Sequence, residues 1–354
     1  MKKQIIKPFL FVIFLIISIA LFSFSSCDGP VDPYDQLKPG RRDYVWEVDT
    51  IDVESTYINK IWGSSPEDVW AIGSGGSFDR SIWYFDGDKW TTDGFTRNIL
   101  PHALWGFSNN EVYIGGLDGK IWNFDGKDWK QFAELEKEGT NFISFENIWG
   151  AKPNDFYAVG AGPDNKLYAN HSVITHFTDN KWEILDTKAL KGNVVHFYIN
   201  NSDQKKYFRL VKIGGIIHPD STIIYEYDQV NFKKLYSSVE TKGMQADISM
   251  IGNDVFFILG YEIATRENNQ FKTVLNVDNP NFYQRIWGRN SKDIFLFMID
   301  GLAHYNGGDL EYLFYFNRTS QTQIYGAALF EKEVFFTIYE ASTDLKYIYH
   351  GKLK

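Results

Sequence analysis

Beyond about residue 43 the chain consists of short apolar runs that alternate with polar residues and break at Gly, Asn and Asp. Runs of this kind, alternating or wholly apolar and bounded by turn formers, predict β-strands. Very little of the chain has the three-to-four spacing of an amphipathic helix, so the pattern predicts an all-β protein.

The strands come in a repeat. Ile61-Trp62-Gly63 with Asp68-Val69-Trp70-Ala71-Ile72-Gly73 recurs as Leu104-Trp105-Gly106 with Glu111-Val112-Tyr113-Ile114-Gly115. Two further clear copies are Ile148-Trp149-Gly150 with Asp155-Phe156-Tyr157-Ala158-Val159-Gly160, and Ile286-Trp287-Gly288 with Asp293-Ile294-Phe295. In all four the acidic residue follows the Trp by six positions. Trp62 to Trp105 is 43 residues, Trp105 to Trp149 is 44, and Trp149 to Trp287 is 138, or three intervals of 46. Two weaker copies are therefore expected inside that gap. One covers Val194–Leu235, with Tyr207–Val211 as its second strand; the other covers Ile248–Val274 and contains Asp254-Val255-Phe256-Phe257. A last copy begins at Ile324-Tyr325-Gly326 and includes Glu333-Val334-Phe335-Phe336. Seven units of this length match the period of propeller blades.

The second half of each unit repeats as well. Trp83-Tyr84-Phe85-Asp86-Gly87-Asp88-Lys89-Trp90 matches Trp122-Asn123-Phe124-Asp125-Gly126-Lys127-Asp128-Trp129, with looser versions at His176–Trp182 and His304–Leu310. Asp-Gly, Asp-Asn and Asn-Gly between apolar strands favour tight hairpins because they accept positive φ. Each unit thus predicts four strands, a to d. The last unit runs out at Tyr347–Lys352, which reads as strand c with no strand d after it. Tyr44-Val45-Trp46-Glu47-Val48 precedes the first strand a and reads as an isolated strand d, with Trp46 where Trp90 and Trp129 stand. The expected architecture is a single seven-bladed β-propeller over 43–354, its last blade closed by the N-terminal strand.

These motifs resemble the Trp-Gly-type propeller repeats of bacterial secreted proteins and lipoproteins of Bacteroidota type. They also echo Kelch repeats, through Gly115-Gly116 followed by Trp122 and Trp129. The resemblance implies a fold and leaves the activity open, because one fold hosts many functions.

The N-terminus changes the picture of where the protein works. Lys2, Lys3 and Lys7 precede an apolar run from Phe9 to Phe24, and Phe24-Ser25-Ser26-Cys27 follows. A charged head, an apolar stretch and small residues before a cut form a secretory leader. The run is short for a membrane span, which needs about 20 residues. Cys27 is the only cysteine, so it has no internal disulfide partner. Its setting resembles a bacterial lipobox, with Phe24 the one departure where Leu is usual. That resemblance implies cleavage after residue 26 and acyl chains, palmitate among them, on Cys27; several chains together hold a protein firmly on a membrane. Residues 27–42, with three prolines and two glycines, read as a tether. The expected address is the cell envelope, lipid-anchored outside the cytoplasm, with the outer membrane favoured.

Composition excludes some functions. The formal charge is −9, and loss of the three leader lysines leaves the mature chain near −12, with no basic stripe. Nucleic-acid binding, which depends on neutralising phosphates, is therefore not expected.

Candidate chemistry is sparse. Trp62, Trp105, Trp149 and Trp287 share one repeat position and are expected to pack between blades rather than form a sugar platform. Asp68, Glu111, Asp155, Asp254, Asp293 and Glu333 recur in the a–b turn, where a carboxylate accepts backbone N–H groups. His102, His171, His176, His196, His218, His304 and His350 lack the spacing and companion carboxylate of a zinc motif, so no metal and no cofactor are expected. A Tyr–Cys copper site, sialidase Asp-boxes and Asp-rich calcium loops do not occur. A facing carboxylate pair, as a glycosidase needs, stays open. The b–c connections vary most, at Gly73–Arg80, Gly162–His171, Gly214–Asp220 and Glu340–Asp344, and a ligand is expected on the face they line. No residue is expected to be catalytic. The expected function is a non-catalytic protein-binding or scaffold module with an envelope partner; the alternatives are a carbohydrate-binding or carbohydrate-active propeller and a sensor input module. Asp49-Thr50-Ile51 and Asp220-Ser221-Thr222 also resemble an O-glycosylation triplet.

Overall fold

The computed structural model describes residues 37–354 except 52–56, 75–79, 96, 164–169, 189, 213–220, 240–244 and 317–321. The leader, Cys27, His218 and most of three b–c connections lie outside the described residues. Twenty-eight strands form seven four-stranded antiparallel sheets, and no α-helix occurs among the described residues. Blade 1 comprises strands a to d at Tyr57–Ser65, Asp68–Ser74, Ile82–Phe85 and Trp90–Thr91. The other inner strands a are Pro101–Ser108, Ser144–Lys152, Asn193–Ile199, Ala246–Ile251, Phe282–Asn290 and Thr322–Leu329.

The apolar clusters show how the sheets become a ring. Among the described residues each of seven clusters joins two consecutive blades. Trp70 and Ile72 of blade 1 pack with Leu104 and Ile114 of blade 2. The series continues around to Ile61 and Val69 of blade 1, which pack with Ala328 and Phe335 of blade 7. Strand b is the middle of each sandwich. In blade 7, Val334 and Phe336 serve the seam with blade 6, while Phe335 between them serves the seam with blade 1. Successive side chains of a strand point to opposite faces. With a hydrophobic seam on both faces, strand b is apolar along most of its length, which is why it reads as Val-Trp-Ala-Ile or Ile-Phe-Leu-Phe. The outer strands mix exposed and half-buried positions instead, as in Gln270–Asn276.

The hairpin chemistry is as the sequence predicts. Asp86, Asp125 and Asn306 each accept two backbone N–H groups from the next residues of the c–d turn. The glycines after them have φ of +96°, +89° and +92°, a region that side-chain-bearing residues avoid.

The ring closes as expected. Tyr44–Thr50 pairs antiparallel with Leu345–Leu353, so blade 7 takes its outer strand from the N-terminus. Trp46 lies opposite Gly351, as Trp90 lies opposite Phe85 and Trp129 opposite Phe124. A Cβ on Gly351 would come within 2.8 Å of the Trp46 ring. Lys352 pairs with Glu47 at 3.0 Å across the join. Contacts with the ring begin before the strand, where Gly40 N–H donates to Lys292 O at 2.8 Å and Arg42 donates to Asp309 O at 2.7 Å.

One register differs from the sequence reading. In blade 1 a bulge falls between Ile58 and Lys60, and Trp62 pairs with Trp70. In blade 7 the bulge falls between Ile324 and Gly326, and Ala328 pairs with Phe335. Tyr325 therefore occupies the bulge, three positions before the place of Trp62, and Ala328 holds that place. The Ile-Tyr-Gly triplet imitates Ile-Trp-Gly without being its counterpart.

Candidate functional site

Strand a of every blade faces the axis, so one repeat position generates one ring of side chains. The residue two before the repeated Trp position, counted from the pairing, is Lys60, Ala103, Asn147, His196, Asp247, Arg285 and Gly326 in blades 1 to 7. The repeat holds Ile-Trp-Gly nearly constant and lets this position vary. Four of these, Lys60, His196, Asp247 and Arg285, together with His102 and Glu146 from the bulges, wall a cavity of about 260 Å³ on the axis.

The charges in this cavity are unevenly committed. Asp247 bonds His196 Nδ1 at 2.7 Å, accepts Ile248 N–H at 2.8 Å and lies 3.5 Å from Arg209. Burial works against its ionisation, but Arg209 and His196 outweigh burial and hold its carboxyl well below the usual range. His196 is pushed down by burial despite Asp247. Burial likewise pushes Lys60 and Arg285 below their ordinary values. Arg285 donates to Ile324 O at 3.2 Å. Glu146 accepts from Ser144 at 3.0 Å and lies 3.9 Å from His102.

Beyond the charged section the passage widens to about 520 Å³, toward the a–b turns. Its wall carries the repeated Trp position: Trp62, Trp105, Trp149 and Trp287, with Tyr198 and Ala328 in blades 4 and 7. These rings also pack between blades. Trp105 Nε1 donates to Gly150 O at 3.1 Å, and the Trp62 ring fills the space where Gly106 lacks a side chain. Inter-blade packing and channel lining are two faces of the same indoles.

The recurring acids do more than brace a turn. In blades 3, 6 and 7 the acid reaches a histidine on strand c: Asp155 to His176 at 2.7 Å, Asp293 to His304 at 2.7 Å and Glu333 to His350 at 2.6 Å. The expectation of backbone capping is corrected for these three; a cross-strand pair satisfies the carboxylate instead. In blade 6 Arg42 Nε donates to His304 Nδ1 at 3.3 Å, so Nε2 carries the proton given to Asp293. His102 and His196 line the axial cavity. Among the described residues no group of three His, Cys, Asp or Glu could hold a metal ion.

Sequence reasoning missed Lys60, Asp247 and Arg285. The signal was present in the repeat alignment, since the position before Ile-Trp-Gly reads Lys, Ala, Asn and Arg in the four clear copies. The ligand face expected from the b–c connections rests largely on residues outside those described. A wider groove of about 960 Å³ lies between blades 1 and 2, where the outer strand of blade 1 is only two residues long.

No protein-family model matches this chain, and no curated protein does. Solved structures do. YCF48 bound to D1 peptide superposes with a TM-score of 0.58 at 14% identity, over 90% of this chain and 100% of that one. A catalytically inactive virginiamycin B lyase from Staphylococcus aureus with quinupristin gives 0.60 at 14% identity, over 86% and 99%. The WD40 β-propeller domain of Doa1 gives 0.54 at 11% identity, over 86% and 97%. The class is thus a seven-bladed β-propeller, and identities this low speak for the fold alone.

Proposed function

We propose that this protein is a lipid-anchored, extracytoplasmic propeller that binds a protein partner and performs no chemistry of its own. The observation that carries the reading is the axial ring. On a repeating frame, a variable inward position holds charged groups, and the carboxylate among them is tied to His196 and Arg209 rather than left free for acid–base work. Rigid frames with variable inward or loop positions suit binding. A neighbour in fold solved with a peptide adds support. The anchor rests on the leader and on Cys27 as the lipidated residue, with the outer membrane as the favoured site.

The test is affinity capture of the tagged protein from crosslinked membranes, beside a Cys27→Ala form. A stoichiometric envelope protein recovered with the wild type and lost with Cys27→Ala is the expected result. Recovery of the wild-type protein alone, or with glycan in place of protein, overturns the partner reading.

A further inference from the structure

The charged and aromatic sections of the axis share Lys60, His196, Tyr198, Ser249, Trp287 and Tyr325 in their walls, so they form one passage. The fold does not need charge at its inner end. The same repeat position is Ala103 in blade 2 and Gly326 in blade 7, with the pairing intact. Lys60 and Arg285 are therefore additions that cost desolvation and that the pairing does not require, although Arg285 also donates to Ile324 O of the next blade. Among the described residues no carboxylate forms an ion pair with either; Glu146 and Asp247 act on Lys60 only through space. Asp247 is already engaged by His196, Arg209 and a backbone N–H. With His196 neutral, three cations (Lys60, Arg209 and Arg285) face two carboxylates, inside a chain whose formal charge is −9. A net excess of positive charge in a low-dielectric passage favours an anion over a cation.

The outer section narrows the choice of anion. Its wall sets Trp62, Trp105, Trp149 and Trp287 with Leu104 and Leu329 among polar groups such as Asn147, Tyr198 and Ser249. The Trp105 indole N–H is spent on Gly150. The four tryptophans and two leucines offer apolar side chains a packing surface beside the charged section. One surplus positive charge matches a carboxylate better than a phosphate dianion.

Building on the partner reading above, we propose that the axial passage takes the free C-terminal carboxylate of an extended partner segment, held by Lys60 and Arg285, with its last apolar side chains against the tryptophans. The probe is the tripeptide glycyl-leucyl-phenylalanine with a free C-terminus, compared with its C-terminal amide. Binding to the full chain in detergent is followed by tryptophan fluorescence and calorimetry. The free acid is expected to bind and the amide to bind about tenfold more weakly or worse, the loss of one hydrogen bond to a charged group. Lys60→Met and Arg285→Met should each weaken the acid by about tenfold and leave the amide unchanged. Equal binding of acid and amide, no saturable binding of the acid at millimolar concentration, or tighter binding of glucuronate or inorganic phosphate overturns the proposal. The acid–amide comparison uses unmodified protein, so it decides the matter even if a variant fails to fold. Capture of an envelope partner without acid–amide discrimination would sink this inference alone; discrimination without any partner would sink the scaffold reading alone.

Discussion

Asp293 and Asp155 occupy the same repeat position and contact a strand-c histidine at the same 2.7 Å, yet removing them should cost very different amounts. The difference is burial. The Asp293 side chain is 7% exposed and that of His304 0%, whereas Asp155 is 54% exposed and His176 20%. Asp293 also binds Arg289, whose guanidinium reaches Tyr44 Oη at 2.7 Å and thereby ties blade 6 to the closing strand. Asp293→Ala would leave a buried imidazole and a half-buried guanidinium without their carboxylate, a loss of about 3–5 kcal/mol. Asp155→Ala removes an ion pair open to water, worth about 1 kcal/mol or less. Urea unfolding of the two variants beside wild type measures the gap, with the denaturant slope checked for constancy. The pH dependence follows with a definite sign. Burial opposes ionisation of Asp293, but His304 and Arg289 overcome it and its pKa falls below the ordinary value. Its contribution is present above the unfolded carboxylate pKa and is lost as pH falls through the folded one, so the gap should shrink under acid. Equal losses for the two variants, or a larger loss for Asp155→Ala, would refute the argument that burial sets the value of this repeated pair.

Four other outcomes are expected. Trp46→Ala removes a half-buried ring that lies over Gly351 and edge-on to Phe314 at 5.0 Å; it should lower stability by about 2–3 kcal/mol, and an unchanged urea midpoint would show that this side chain does not hold the closure. Gly106→Ala places a methyl 2.3 Å from the Trp62 ring and should cost about 1–3 kcal/mol, partly recovered by Trp62→Phe. Gly94→Ala, with nothing within 4 Å but φ of +71°, should cost about 1 kcal/mol through backbone strain alone; thermal melts compare the two. Burial pushes His196 and His350 below the ordinary histidine value, so the unfolded chain takes up protons first and stability should fall as pH drops through about 6.5. NMR titration of the histidines beside urea midpoints at each pH checks this, and a flat profile would contradict it.

Neighbours in fold include a lyase solved with its quinupristin and a propeller solved with a peptide. One fold hosts many functions.

Blade number, strand order and closure were legible from residue order alone, because each depends on local rules. Apolar runs bounded by Asp-Gly or Asn-Gly make strands and hairpins, the 43- to 46-residue period counts the units, and an orphan strand at Tyr44–Val48 had one vacant edge to fill. The seventh repeat misled because Ile324-Tyr325-Gly326 copies the letters of the motif while the bulge sits three residues away. Strand register depends on partner strands and bulges, which a triplet does not encode. The acid–histidine pairs were equally hidden, since 11 to 21 residues separate partners such as Asp293 and His304 or Asp155 and His176. Only folding makes Lys60, His196, Asp247 and Arg285 neighbours. They come from blades 1, 4, 5 and 6, and a ring converts one repeated position into a single shared cavity. Sequence order determined the frame; convergence at the axis, a property of closure, decided where the charges meet.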